Sequence, residues 1–299
     1  MTVGTDLGRK AVLVTGASSG IGRAAALNLD RLGFTVFASV RKERDAEDLR
    51  AQASPRLTPV FLDVTEPRTI ADAEEKIRRA VGASGLWGLV NNAGISFRAP
   101  IELVPLEDLR RLFEVNVFGH LAVTQAFLPL IRQARGRIVM ISSITAMIVT
   151  SYHGPYSAGK ACLNAFSDAL RLEMKPFGVR VATLIYGGVR TPIWDKIETE
   201  TDAVAAKFPA GYARLYAENQ RKALAFFVER GRSSLSAEKS IRPIVRALTA
   251  RRPKGAYFVG TGARLYGTLG RLLSGRLRDW VILRSLGLTK VEAPRGPEA

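Results

Sequence analysis

The sequence predicts a single α/β domain in which about seven parallel strands form one doubly wound sheet with helices on both faces. Short apolar, β-branched runs alternate with helical stretches along most of the 299 residues. Strands that alternate with helices are joined by right-handed crossovers, which place helices on both faces of a parallel sheet. No repeat or Pro/Ser-rich linker divides the chain, and an apolar content of 47% is enough to bury a large core.

The predicted strands are brief apolar runs, most of which stop at glycine or at polar residues. They cover 10–16, 34–40, 57–64, 86–94, 136–143, 179–188 and 255–260. The first helix is predicted over 21–33, where alanine and leucine recur and Gly33 provides a C-terminal stop. Further helical stretches fill the gaps at 67–81, 106–133, 155–176 and 236–250.

The alternation is interrupted at 187–235, which is too long for an ordinary loop. We interpret this segment as an insertion after the sixth strand, with a helix over 212–231. An insertion at the carboxyl end of a strand is well placed to cover a site. The sequence thus divides into a Rossmann-like domain at 1–262 and a basic C-terminal helical extension and tail at 263–299.

The composition excludes several classes of protein. The single cysteine, Cys162, rules out an internal disulfide framework and fits a reducing compartment. Two histidines with that cysteine form no cluster of metal-ligand spacing, so no metal is expected. The sequence shows neither an apolar run near 18 residues nor the apolar core of a signal peptide. We therefore expect a cytoplasmic protein.

The positive charge is concentrated near the C-terminus. The net charge is +17, and residues 221–299 hold 17 Lys/Arg against 5 Asp/Glu. A basic solvent-exposed face, an anionic ligand, nucleic acid and an acidic membrane surface contacted through 263–287 are all compatible with this excess. No nucleic-acid recognition motif accompanies the charge, so we expect no nucleic-acid partner.

A glycine-rich turn, TGASSGIG at 15–22, stands between the first strand and the first helix. Glycine there lets backbone N–H groups approach a pyrophosphate, and the helix N-terminus adds a partial positive charge. With its flanking elements the turn predicts a dinucleotide site rather than a merely tight turn. The predicted binding residues are Gly16, Ser18, Ser19, Gly20, Ile21 and Gly22.

The end of the second strand favours NADP(H) over NAD(H). In many NAD-binding folds an acidic residue about 20 positions after the glycines holds the ribose hydroxyls. Here the strand ends ASVRKER at 38–44, and no acid closes it. Arg41, helped by Arg44 or Lys42, would pair with a 2′-phosphate, with Arg23 beside the glycine loop as a second guanidinium. A solvent-exposed basic turn is the alternative interpretation.

A tyrosine and a lysine four residues apart, Tyr156 and Lys160 in YSAGK, share one face of a predicted helix. An ammonium near a phenol favours the phenolate, so we expect the pKa of Tyr156 to fall from about 10 toward working pH. Ser143, at the end of ISS, lies thirteen residues before the tyrosine. The pair therefore predicts a device for proton transfer.

These motifs occur in a fixed order with three others, NNAG (91–94), LDVT (62–65) and NVFG (116–119). In this order, each on its expected element, they resemble the short-chain dehydrogenase/reductase family over about 10–260. The segments VFASVRKE and TPIWDK are similar to members that handle steroids, retinoids and other lipophilic alcohols. Tyr186 departs from the family, which usually has proline there, and this leaves the conformation of the following loop open.

The resemblance implies roles for individual residues. Tyr156 would exchange a proton with the substrate oxygen while hydride moves to or from the nicotinamide, Ser143 would hydrogen-bond that oxygen, and Lys160 would also hold the nicotinamide ribose. Asn116 would support the lysine through a water. The remaining cofactor residues implied in this way are Asp63 and Val64 beside the adenine, Asn92, Ala93 and Gly94 after the fourth strand, and Gly187, Val189 and Thr191 near the nicotinamide.

The leading interpretation is an NADP(H)-dependent oxidoreductase that interconverts an alcohol and a carbonyl on a lipophilic small molecule. The resemblance also implies a homodimer or homotetramer formed through helices 106–133 and 155–176. A dinucleotide-binding sensor or scaffold with vestigial catalysis is the alternative. Loss of one of the four residues Tyr156, Lys160, Ser143 and Asn116 would mark it, and all four are present.

Overall fold

The strands of the computed structural model, which describes residues 7–260 and 262–288, form two parallel sheets. They are β1 (Ala11–Val14), β2 (Thr35–Val40), β3 (Leu57–Phe61), β4 (Gly88–Asn91), β5 (Arg137–Ser143), β6 (Arg180–Tyr186), β7 (Val189–Arg190), β8 (Leu235–Ser236) and β9 (Ala256–Val259). The main sheet has seven strands in the order β3-β2-β1-β4-β5-β6-β9, and β7 and β8 pair separately. The predicted doubly wound α/β fold is confirmed.

The α-helices lie on the two faces of the main sheet, in the insertion and in the C-terminal extension. They are α1 (Gly20–Arg31), α2 (Glu43–Gln52), α3 (Pro67–Val81), α4 (Leu106–Phe113), α5 (Gly119–Gln133), α6 (Gly154–Glu173), α7 (Ile193–Ala205), α8 (Ala210–Arg232), α9 (Ala237–Ser240), α10 (Arg242–Thr249), α11 (Ala263–Leu272) and α12 (Gly275–Ser285). A short π-helical segment, Glu114–Phe118, joins α4 to α5. Among the residues described, no helix combines the length and the apolar composition needed to cross a membrane.

The core consists of two apolar layers, one on each face of the main sheet. On one face α1 and α10 contribute side chains such as Leu29 and Leu248. On the other face α3, α5 and α6 contribute Ile77, Phe127 and Leu163. All of β1 is buried, which explains why its sequence is an unbroken apolar run rather than an alternating one.

Several predicted elements have different bounds in the structure. The strands predicted to end at 64, 94 and 188 end at 61, 91 and 186, because the motif residues that follow them lie in loops. The helix predicted over 236–250 is divided at Ile241 into α9 and α10. The sequence does not predict helix α2, since Ala46 and Leu49 are its only buried residues and give no clear apolar period.

The insertion at 187–235 is built from α7 and α8, and its two ends are tied together. Strand β7 at its start pairs with β8 at its end, Val189 opposite Leu235. Ion pairs hold it to α4, with Lys207 Nζ 2.7 Å from Asp108 Oδ2 and Arg111 Nη2 2.5 Å from Glu200 Oε2. Helices α11 and α12 follow in the C-terminal extension. The predicted tail at 289–299 lies outside the described residues.

Candidate active site

One cavity of about 1040 Å³ opens at the carboxyl ends of the strands, where the order of the main sheet reverses between β1 and β4. Ligands of open α/β sheets bind at such a switch point. The predicted site residues on its wall are Gly16, Ser18, Ser19, Gly20, Ile21, Arg41, Asp63, Val64, Asn92, Ala93, Gly94, Ser143, Tyr156, Lys160, Gly187, Val189 and Thr191. Gly22 and Asn116 lie behind the wall instead. The structure therefore brings together residues from both halves of the sheet.

The glycine loop is packed so closely that no side chain would fit at Gly16 or Gly22. Gly16 has a φ of 63°, and an added Cβ would lie 2.8 Å from the Cα of Ala93. A Cβ on Gly22 would lie 2.3 Å from the backbone oxygen of Gly16, so this glycine allows α1 to start directly behind the loop. Gly20 and Ile21, in the first turn of α1, line the cavity. This shape fits a dinucleotide pyrophosphate.

The loop after β4 is held by side-chain hydrogen bonds. Asn92 Nδ2 donates to the backbone oxygen of Thr15 at 2.9 Å, and Thr15 Oγ1 accepts from the backbone N–H of Ala93 at 3.1 Å. Asn116, in the π-helical segment, accepts from the Ile95 N–H at 2.9 Å and donates to the Ile95 oxygen at 2.8 Å. The observed side-chain bonds of Asn116 therefore go to the loop backbone, and its water-mediated support of Lys160 stays a prediction.

Tyr156, Lys160 and Ser143 meet on one wall of the cavity. Lys160 Nζ donates to the backbone oxygen of Ile141 at 2.8 Å and lies 5.7 Å from the ring centroid of Tyr156. Burial lowers the pKa of Lys160 to about 8. Ser143 Oγ accepts from Thr145 Oγ1 at 2.9 Å and hydrogen-bonds the tyrosine hydroxyl. This places a hydroxyl, a phenol and an ammonium together.

The expected lowering of the Tyr156 pKa by Lys160 is wrong for this structure. Burial raises the pKa of Tyr156 to about 12, while the hydrogen bond from Ser143 and the charge of Arg98 act in the opposite direction. Burial has the larger effect on the pKa because transfer of the phenolate out of water costs more free energy than its interactions with these neighbours contribute. The four-residue spacing correctly predicts proximity, but spacing carries no information on burial.

The adenosine end of the cavity carries Arg41 and Asp63. Arg41 Nη1 lies 3.3 Å from Asp63 Oδ2, with 69% of the arginine side chain exposed. Burial opposes ionisation of Asp63, but hydrogen bonds from Thr65 and the charge of Arg41 lower the pKa of that carboxyl. Arg23 is not on the cavity wall, since its guanidinium lies 2.8 Å from Asp48 on α2. The expected second guanidinium at a 2′-phosphate is therefore wrong.

The loop after β6 has a fixed conformation, although Tyr186 stands where the family usually has proline. The ring of Tyr186 is buried, and its hydroxyl donates to the backbone oxygen of Ser240 at 3.0 Å. The next residue, Gly187, donates its N–H to the Val259 oxygen at 2.8 Å. Tyr186 thus anchors the end of β6 to α9, and the loop leads Val189 onto the cavity wall.

The wall also contains residues that are not among the predicted site residues, including Ser39, Arg98 and His153. Ser39, at the end of β2, accepts a hydrogen bond from the Gly16 N–H at 3.0 Å. Arg98 is 1% exposed, and its guanidinium lies 4.1 Å from the ring centroid of Phe227. His153 stacks on Tyr156 with 4.7 Å between ring centroids. A charged residue within the apolar run ISFRAP is the one sequence signal that could have indicated Arg98.

Comparison with known proteins gives consistent matches. The model of a family described as short chain dehydrogenase matches residues 10–202. Estradiol 17-beta-dehydrogenase 2 of Mus musculus is 39% identical over 285 residues, which are 92% of this chain and 74% of that protein. Retinol dehydrogenase 5 of Mus musculus is 36% identical, over 91% of this chain and 87% of that protein. A short-chain dehydrogenase structure from Streptomyces avermitilis superimposes with a TM-score of 0.73 at 28% identity, covering 96% of this chain and 98% of its own.

Proposed function

The chain belongs to the short-chain dehydrogenase family, which interconverts alcohols and carbonyls with a nicotinamide dinucleotide, and from this premise we propose an NADP(H)-dependent oxidoreductase for lipophilic alcohols or ketones. The observation that carries the proposal is the convergence of Tyr156, Lys160 and Ser143 in the cavity that the glycine loop enters. A vestigial sensor or scaffold would not need to keep this arrangement.

In the proposed mechanism Tyr156 moves the proton. The nicotinamide, when bound, supplies or accepts the hydride. The phenol, neutral below its pKa of about 12, donates its proton to a carbonyl oxygen, and in the reverse direction the phenolate takes the alcohol proton. Ser143 keeps its proton and donates a hydrogen bond to the same substrate oxygen, while Thr145 holds the serine hydroxyl in place. Lys160, whose Nζ is held by the Ile141 oxygen at 2.8 Å, would hold the nicotinamide ribose beside Tyr156.

A lipophilic substrate is supported by the part of the wall that the insertion supplies. Helices α7 and α8 contribute the apolar side chains Trp194, Ile197, Phe226 and Phe227 to the cavity. We propose that the insertion covers the substrate in this way. Two of the relatives are named for estradiol and for retinol, both of which are large apolar alcohols.

A screen with both cofactors tests the proposed activity. Steroid, retinoid, aliphatic and aromatic alcohols and ketones are offered with NADP(H) and with NAD(H), and the change in nicotinamide absorbance is recorded. We expect turnover of at least one lipophilic compound. Tight dinucleotide binding without turnover of any compound would instead support the sensor or scaffold.

The preference for NADP(H) is proposed from Arg41 and from the absence of an acid at the end of β2. We expect Arg41→Asp to weaken NADP(H) binding about tenfold and to favour NAD(H), because a charge-assisted hydrogen bond is replaced by repulsion of the 2′-phosphate. The effect is modest because Arg41 is exposed and screened, and it should shrink at high salt. Fluorescence titration of both cofactors measures the two dissociation constants.

Arg252→Asp provides the matched control, since it makes the same charge change at an exposed loop residue outside the cavity wall. It should alter the NADP(H) dissociation constant much less than Arg41→Asp does. Equal or tighter binding of NAD(H) by the unmodified protein would show that Arg41 contributes nothing to cofactor choice.

We also propose a cytoplasmic location in which the protein meets a membrane surface through its C-terminal extension. Helix α12 exposes Leu277, Trp280, Val281 and Leu283 among basic residues. An exposed apolar and basic face is typical of helices that lie on anionic lipid. Co-sedimentation with vesicles containing anionic lipid should be lost in Trp280→Glu, and equal sedimentation of both proteins would contradict the proposal.

Assembly into two or four copies through α4, α5 and α6 is a further proposal. The apolar side chains Phe166 and Leu172 on α6 are exposed, as is Phe118 at the end of the π-helical segment before α5. Exposed apolar patches on a globular protein often mark contacts between subunits. Light scattering measures the mass of the assembly directly.

A further inference from the structure

Arg98 occupies a fixed position in the loop that follows β4. Its backbone N–H donates to Thr201 Oγ1 of α7 at 3.1 Å, and its backbone oxygen accepts from Gln220 Nε2 of α8 at 3.1 Å. Both partners are buried. The insertion therefore holds this residue on the cavity wall, where it joins Tyr156 and His153.

The guanidinium of Arg98 is buried without an anionic partner. Within the part of the chain that the structure describes, neither Nε nor Nη1 has a hydrogen-bond acceptor, and no ion pair includes the residue. The face of the group stacks on Phe227, which attracts the cation but accepts none of the N–H groups in its plane. Burial lowers the pKa of Arg98 to about 9, so the group is charged at neutral pH. A buried charge without a hydrogen-bonded counter-ion lowers the stability of the folded protein unless a ligand pairs with it.

The charge of the cavity wall favours an anionic ligand. Six cationic side chains line it in the described residues, namely Arg41, Arg98, Lys160, Lys196, Arg230 and Arg278. The one acid among the described lining residues, Asp63, lies beside Arg41. The proposed 2′-phosphate site uses Arg41, which leaves Arg98 without a role in cofactor binding. Because its neighbours are Phe227 and the His153–Tyr156 stack, Arg98 belongs to the substrate part of the cavity.

From these observations we infer that Arg98 binds a carboxylate on the substrate, which is therefore a lipophilic hydroxy acid or oxo acid. The planar N–H fork of arginine matches the two oxygens of a carboxylate. The carboxylate takes no part in the redox step, in which the alcohol carbon gives hydride to the nicotinamide and its hydroxyl proton to Tyr156. This inference rests on the proposed function, because it identifies the substrate of that same reaction.

Matched pairs of acids and esters test the inference. We offer 3-, 6- and 9-hydroxydecanoate and their methyl esters, and measure kcat/KM by nicotinamide absorbance. For the isomer whose hydroxyl reaches Tyr156, we expect the acid to exceed its ester about 10- to 100-fold, as expected for a charge-assisted hydrogen-bonded pair. Arg98→Met should reduce this ratio to near one, and Arg98→Lys should restore part of it. Arg221→Met, at an exposed arginine of α8, should keep the ratio.

A binding measurement separates this inference from the proposed activity. Calorimetric titration compares decanoate with 1-decanol in the presence of saturating NADP⁺, for the unmodified protein and Arg98→Met. Tighter binding of decanoate that depends on Arg98 supports the carboxylate site, even if no alcohol is oxidised and the proposed function fails. The carboxylate site would be overturned if neutral steroids or retinoids were turned over, acid and ester had equal kcat/KM, and decanoate bound no more tightly than 1-decanol. The proposed oxidoreductase activity would remain supported by that result.

Discussion

Replacing Tyr156 with phenylalanine should lower turnover roughly 10²- to 10⁴-fold while leaving dinucleotide affinity nearly unchanged, because the change removes the acid–base group and keeps the ring. The pH dependence follows from the raised pKa of about 12. Below this value the phenol carries its proton, so carbonyl reduction has its acid ready at neutral pH. Alcohol oxidation needs the phenolate, whose fraction rises about tenfold per pH unit. Oxidation by the unmodified protein should therefore accelerate with pH, and steady-state kinetics measure both effects.

The matched control for this variant is Tyr152→Phe. Tyr152 lies four residues earlier, outside the cavity wall, so loss of its hydroxyl should change turnover little. Cofactor titration by fluorescence confirms that each variant still binds the dinucleotide. If Tyr156→Phe retained more than about a tenth of the rate, the proton would come from elsewhere and the role of Tyr156 would be wrong.

The motifs allow the site to be located from sequence because of how parallel sheets are built. TGASSGIG and the loop after β6 follow their strands, NNAG begins at the last residue of β4 and ISS ends β5, and the carboxyl ends of parallel strands meet at one edge of the sheet. Alternation of strand and helix is enough to predict that edge. Residues far apart in the chain, such as Gly16 and Ser143, can therefore be assigned to one cavity by their positions at the carboxyl ends of the strands alone.

The burial of a side chain and the identity of its hydrogen-bond or ion-pair partners could not be predicted from the sequence, because both depend on contacts across the fold. The partners that fix Arg98 are Thr201, Gln220 and Phe227, all more than 100 residues further along the chain. Arg23 follows the glycine loop closely, but its guanidinium turns to Asp48 on a helix that the sequence does not predict. Local patterns predict elements and motifs, whereas the direction of a long charged side chain is set by tertiary neighbours.

Replacing Lys160 with methionine should reduce both turnover and cofactor affinity, which distinguishes it from Tyr156→Phe. We expect turnover to fall by roughly 10² or more, because the nicotinamide ribose loses its proposed contact with Lys160 and the cofactor is misplaced relative to Tyr156. The bond from Nζ to the Ile141 oxygen is also lost, and a buried carbonyl without a donor costs about 1–3 kcal/mol of unfolding free energy. Lower Tm, weaker dinucleotide binding and lower kcat are therefore expected together.

Three measurements separate a role in the reaction from a role in the fold. Thermal unfolding gives the loss of stability, fluorescence titration gives the dinucleotide dissociation constant, and kcat is measured at saturating cofactor well below the Tm. Lys175→Met, at an exposed lysine just beyond α6, should leave all three near their original values. A Lys160→Met protein that melts earlier but keeps its kcat and its cofactor affinity would mean that Lys160 only ties α6 to β5. In that case the proton-transfer site would consist of Tyr156 and Ser143 alone, with Arg98 as the cation that acts on the phenol.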